Sequence, residues 1–144
     1  MNRGTKVHEI EKLIVLFYIG GGLYNIIELL WRGFTHPSMF IVGGICFLII
    51  GGINEYLPWE MCLFEQCCRG ALAVTLVELV SGIILNLWLG LGVWNYAMIP
   101  GNIFGQICLP FSFAWLVLSG IGIVFDDWLR YWLFGEERPH YTLF

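Results

Sequence analysis

The chain has 144 residues, of which 58% are hydrophobic and only 12% charged, with a formal net charge of -4. Its mean hydropathy is +0.77, and soluble domains carry roughly 25% charged residues, so the composition describes an integral membrane protein. At this length about four spanning helices of ~20 residues fit, with no room for a soluble catalytic domain. No basic stripe points to nucleic acid.

Four apolar runs follow in chain order: Leu13 to Trp31, Met39 to Tyr56, Ala71 to Leu91 and Ile107 to Phe125. Aromatic side chains crowd their ends, as interfacial belts do: Trp31 and Phe34, Tyr56 and Trp59, Trp94 and Tyr96, then Trp128, Tyr131 and Trp132. The expected fold is all-α, an integral membrane four-helix bundle. Residues 1–12 form an N-terminal segment, 13–125 the transmembrane domain and 126–144 a C-terminal tail. With both termini cytoplasmic, Arg3, Lys6, Lys12, Arg69, Arg130 and Arg138 lie inside and only Arg32 outside, which satisfies the positive-inside rule. The first run lacks a small-residue cleavage site and carries Asn25, Glu28 and Arg32 near its end, so it reads as a retained helix.

In the first helix, Gly21, Asn25, Glu28 and Arg32 fall at steps of four, three and four, on one face. The third run repeats this with Ala71, Thr75, Glu78, Gly82 and Asn86. Small and polar stripes turn toward other helices or a wet cavity when the remaining faces are apolar. The second run offers Gly44, Gly51 and Asn54 with Glu55, and the fourth Ser112, Trp115, Ser119 and Gly122. A rise of about 1.5 Å per residue puts Glu28 roughly 24 Å beyond Lys12 and Glu78 about 11 Å beyond Ala71. Asn25, Glu28, Arg32, Asn86 and Gln106 then belong to an outer tier, and Asn54, Glu55, Thr75 and Glu78 to an inner one. Stacked, the two tiers could form a polar path.

Glu78 is the charged residue in the longest apolar run. Carboxylates at such positions are costly and commonly functional. Glu78 is either protonated and hydrogen-bonded to a neighbouring helix, or binds a proton, cation or polar substrate group. Glu28 and Arg32, four apart, either gate the outer end or form an intrahelical ion pair. Glu55, at a helix end, can reach cytoplasmic water.

Between the third and fourth runs, Trp94-Asn95-Tyr96 leads through Pro100, Gly101 and Asn102 to Gln106. Pro100 and Gly101 break helix, and the segment is apolar enough to lie along the membrane or dip into it. Its backbone must be covered by protein or line a cavity, and Asn95, Asn102 and Gln106 could supply the hydrogen bonds. Cys62, Cys67 and Cys68 fall on the cytoplasmic side, where thiols stay reduced, and no His stands near them in sequence to complete a metal site. No phosphate loop, Ser-His-Asp set or His-Glu-x-x-His motif is present. Neither an enzyme, a cofactor nor a metal is expected.

Trp94-Asn95-Tyr96, Pro100, Asn102, Gly105, Cys108-Leu109, Phe111-Ser112 and Trp115, reaching back to Glu78 and to Glu28 with Arg32-Gly33, resemble the bacterial membrane family labelled Putative ABC-transporter type IV. That family typically has Asp where Asn95 stands and Ser where Ala97 stands, and its Gly-Pro-rich motif after the first helix is reduced here to Thr35-His36-Pro37 with Gly43-Gly44. The resemblance implies a permease-like transport component of the bacterial cytoplasmic membrane, served by an ATPase from another chain that docks on the loop from Leu57 to Gly70. Four helices rarely enclose a pathway alone, so a homo-oligomer or larger partner is expected, surrounded by membrane lipid. The alternatives are a membrane assembly protein and an intramembrane lipid-binding protein or enzyme.

Overall fold

The computed structural model describes residues 3–144, with side chains from His8 onward; the charges expected of Arg3 and Lys6 lie outside the described side chains. The helices are α1 (Arg3–Arg32), α2 (Pro37–Gly51), the short α3 (Ile53–Tyr56), α4 (Leu63–Gly82), which continues as a π-helix over Ile83–Trp88, and α5 (Leu109–Phe134). Four segments are long and apolar enough to cross a membrane: His8–Arg32, Pro37–Tyr56, Leu63–Trp88 and Leu109–Phe134. Lys12, the α3–α4 turn and the C-terminal segment meet at one end, here the terminal end; the α1–α2 turn and the 89–108 segment lie at the other, the distal end.

Close helix contact explains the glycines. A Cβ on Gly20 would run into Phe47, on Gly43 into Tyr24 and on Gly44 into Phe17, so α1 and α2 approach backbone to backbone. Gly33, at φ 77°, stops α1, and Pro37 starts α2 after His36, whose ring nitrogen accepts the Ser38 amide at 3.2 Å. Leu16, Phe47, Ile50, Ile53, Val74 and Ile123 form the central core. Leu72, Leu76 and Val80 on α4, and Phe113, Val117 and Ile121 on α5, remain exposed at four-residue spacing, as lipid-facing stripes should be.

Three helix boundaries depart from the sequence reading. α1 is already helical from Arg3, well before Leu13, through most of the expected N-terminal segment. α4 begins at Leu63, well before Ala71, because Cys62 supplies the extended N-cap residue and the polar first turns are helical, with Arg69 pairing to Glu65 at 2.7 Å across one turn. The docking loop expected from Leu57 to Gly70 is therefore a short turn followed by helix. α5 runs past Phe125 to Phe134, where Gly135 ends it in the left-handed conformation. Residues 126–134, expected in a tail, are helix and in part buried.

Candidate functional site

At the distal end the chain from Leu89 to Cys108 has little regular structure, so its backbone groups need side-chain partners. Asn102 Nδ2 donates to the carbonyls of Ala97 (3.2 Å) and Ile99 (2.9 Å), and its Oδ1 accepts the Gly105 amide (3.1 Å). Asn95 Oδ1 accepts the Ala97 amide at 2.8 Å. The Tyr96 amide donates to the Gly105 carbonyl at 2.7 Å and the Trp94 indole to the Gln106 carbonyl at 2.9 Å. Thus Asn95 and Asn102 shape the segment from within, and at Asn95 an amide oxygen does what a carboxylate oxygen would do.

A polar layer ties this segment to the helices. The π-helix widens the end of α4 and brings Asn86 to it, where Nδ2 donates to Gln106 Oε1 (2.8 Å) and Oδ1 accepts the Val93 amide (2.6 Å). Arg32 donates to the Val93 carbonyl at 2.8 Å while ion-pairing with Glu28, and Thr35 donates to Asn25 at 3.1 Å. The Glu28–Arg32 ion pair is formed, and the same arginine latches the segment.

Glu78 lies deeper. Counted from Leu63 at about 1.5 Å per residue it is roughly 22 Å along the helix and about 15 Å short of Trp88. That places it in the distal half, away from the inner tier assigned to it when the helix was expected to start at Ala71. It is 7% exposed. One carboxyl oxygen accepts the Tyr96 hydroxyl at 2.9 Å and the other the Trp115 indole at 3.1 Å. Tyr96 stacks on Phe111 with ring centroids 4.8 Å apart, and Trp115 on Tyr24 at 6.2 Å. Burial and the adjacent Glu78 carboxyl push the Tyr96 phenol above its ordinary pKa, which keeps it a donor. Thr75 and Ser112, one turn from Glu78 and Trp115 on the same two helices, stand 3.5 Å apart. Among the described residues no cation pairs with Glu78; its partners are neutral.

Asn54 and Glu55 do not join Glu78. They meet the terminal end of α5 in a cluster that sequence reasoning missed. Asn54 donates to Asp127 Oδ2 at 2.7 Å, as does the Tyr141 hydroxyl at 2.8 Å. Arg130 bonds Asp126 at 2.6 Å and lies 3.7 Å from Glu55 and 3.9 Å from Glu136, which Lys12 reaches at 2.8 Å. Asp126, Asp127 and Arg130 are all buried. The available signal was the four-residue spacing of Asp126 and Arg130 with Trp128 and Trp132 on another face. Burial, followed by the hydrogen bond to Asp127, raises the Tyr141 pKa, so Tyr141 also stays a donor. A cavity of roughly 640 Å³ opens beside this cluster. Among the described residues, no group of three or more His, Cys, Asp or Glu side chains is placed to hold a metal ion.

The helices therefore carry polar groups at three levels: the distal layer, the Glu78 group and the terminal cluster. Four apolar helices around such groups fit a membrane transport component. No significant match exists among curated proteins or solved structures. Residues 16–134, nearly all of the helical part, match the family model described as Putative ABC-transporter type IV, and the chain belongs to that family.

Proposed function

We propose that the chain is a permease-like transport subunit in which Glu78 exchanges a proton or small cation during passage of a small solute or ion. The observation that carries this reading is the burial of Glu78 in a spanning helix among neutral donors, with no cation paired to it among the described residues. The path continues to Glu28 and Arg32 distally, and Asn25, Asn86 and Thr75 line its flanks. The reading assigns the chain no enzymatic chemistry of its own. Four helices are few for a route, so the subunit works as a homo-oligomer or beside a larger partner. Family membership supports an ATPase from another chain; the reading places its dock on the terminal end around residues 57–70.

The proposed orientation has both termini in the cytoplasm of a bacterial cell, because Lys12, Arg69 and Arg138 gather at the terminal end. The test is flux into vesicles containing the purified complex. Glu78→Gln should fold and lose proton- or cation-coupled flux, whereas Glu78→Asp should retain part of it; unchanged flux in Glu78→Gln removes the residue from the mechanism. A second reading, an assembly role, is favoured by the hydrogen bond through which Tyr96 fastens the distal segment to Glu78. It predicts that Glu78→Gln disrupts the complex without a separate effect on flux. Native mass of the gently solubilised complex, with its co-purifying chains identified, distinguishes a homo-oligomer from an ATPase-bound assembly.

A further inference from the structure

The loop from Asn95 to Gly105 is hydrogen-bonded to itself and to the adjoining Gln106 and Ile107, with one exception. Its two ends meet where the Tyr96 amide donates to the Gly105 carbonyl at 2.7 Å, and Asn95 and Asn102 satisfy the turns between them at Ala97, Ile99 and Gly105. A loop closed at its base and held by its own side chains is a self-contained piece. The residues flanking it are anchored: Val93 by Arg32 and Asn86, Trp94 by the Gln106 carbonyl and Gln106 by Asn86, and all three are buried. Among the described residues, one hydrogen bond joins the loop itself to a helix, from the Tyr96 hydroxyl to Glu78 at 2.9 Å. The Tyr96 ring also stacks on Phe111, whereas Met98 and Phe104 are exposed, so burial does little to pin the rest of the loop.

The strength of that one bond depends on the charge of its acceptor. Ionised, Glu78 offers both oxygens as acceptors, one to Tyr96 and the other to the Trp115 indole at 3.1 Å. Once it is protonated, one oxygen becomes a donor and the bond to the other loses its charge assistance; hydrogen bonds with an ionised partner are roughly twice as strong as neutral ones. Trp115 is fixed on α5 in either form, but Tyr96 is carried by a loop with no other bond to a helix. The groups facing Glu78 do not mask the change. Tyr24 from α1, Cys46 from α2 and Tyr96 from the loop are its titratable neighbours, and α5 contributes Trp115, which does not titrate. A phenol or a thiol is uncharged near neutral pH. Glu28 and Arg32, one turn and two turns beyond Tyr24, neutralise each other. We infer that the loop from Asn95 to Gly105 is a lid over Glu78, latched by Tyr96 while the carboxyl is ionised and released when it takes up a proton, so that protonation opens Glu78 toward the distal end. The inference rests on the proton form of the transport reading and adds to it the moving part and the side to which it opens.

The experiment is hydrogen exchange of the purified full-length protein in detergent, read by mass spectrometry, for the native chain, Glu78→Gln and Tyr96→Phe. Glu78→Gln makes the acceptor permanently neutral. At a single pH it should exchange the amides of residues 95–105 about tenfold faster than the native chain, the factor that separates a hydrogen bond to a charged group from a neutral one. Tyr96→Phe should do the same, and it keeps the test open if Glu78→Gln fails to fold. Amides of α5 beyond Trp115 should keep native rates. In the native chain the loop amides, corrected for the intrinsic pH dependence of exchange, should also speed up on acidification, and in Tyr96→Phe that response should be missing. Equal loop rates in all three proteins, faster exchange spread evenly over α4 and α5, or a native loop that does not respond to acid would overturn the lid. Because flux is not the readout, the two failures differ: a loop that responds as described while Glu78→Gln leaves flux unchanged supports the lid and removes the transport reading.

Discussion

The two ends of the bundle solve the burial of carboxylates in opposite ways. At the terminal end Asp126 and Asp127 are balanced by Arg130 and by the amide and phenol of Asn54 and Tyr141, in a network drawn from α1, α3, α5 and the C-terminal segment. Nearer the distal end Glu78 has two neutral donors and no cation among the described residues. Breaking a network of opposite charges strands one of them in the interior. A carboxyl held by neutral donors can gain or lose a proton without stranding a partner charge. The terminal cluster should therefore be the part that folding needs most, and Glu78 the part that function needs most.

The largest effect expected from that contrast is in Arg130→Ala. Removing the guanidinium leaves buried Asp126 uncompensated and should cost about 3–5 kcal/mol, read as a large drop in thermal unfolding temperature in detergent. Were the drop no greater than that of Glu78→Gln, the two ends would not differ as described. Next is Gly51→Ala, whose methyl would collide with the Asp126 carboxyl group; a loss of about 1–3 kcal/mol is expected. Gly22→Ala is its control, since a Cβ there meets nothing within 4 Å, and it should be neutral or raise stability by about 0.5–1 kcal/mol.

The Glu78 group should tolerate change better. Tyr96→Phe deletes one hydrogen bond, and a typical bond of this kind contributes about 0.5–1.5 kcal/mol net. Only a small fall in unfolding temperature is expected, accompanied by a measurable change in flux. Smallest of all is Asn95→Asp, which keeps the oxygen that accepts the Ala97 amide; its effect on stability should lie within about 0.5 kcal/mol. A large effect there would mean that the residue does more than shape its own turn.

What could be read from the sequence divides along the same line. Long apolar runs, aromatic ends and four-residue polar spacing are local signals, and they sufficed for the four helices and for the placement of Gly21, Asn25, Glu28 and Arg32 on one face. The partners of Glu78 were not local: Tyr96 comes from the distal segment and Trp115 from α5, and only the folded chain brings them to it. Asp126 and Asp127 were misplaced for another reason. Hydropathy ends a span at its first charges, whereas a helix whose charges are paired continues through them, as α5 does to Phe134. Similarly, the polar first turns of α4 hid its start at Leu63 and shifted Glu78 to the wrong tier.

The most direct test of the central claim is infrared spectroscopy of the purified protein across a pH titration, comparing the native chain with Glu78→Gln. A protonated carboxyl group has a carbonyl stretch distinct from that of the ionised form. The account predicts a carboxyl band that appears and vanishes reversibly with pH in the native protein and is missing from Glu78→Gln, while the remaining carboxyl bands are unchanged. Native and variant spectra that superpose throughout the titration would contradict it, because Glu78 would then hold one protonation state and could not exchange a proton.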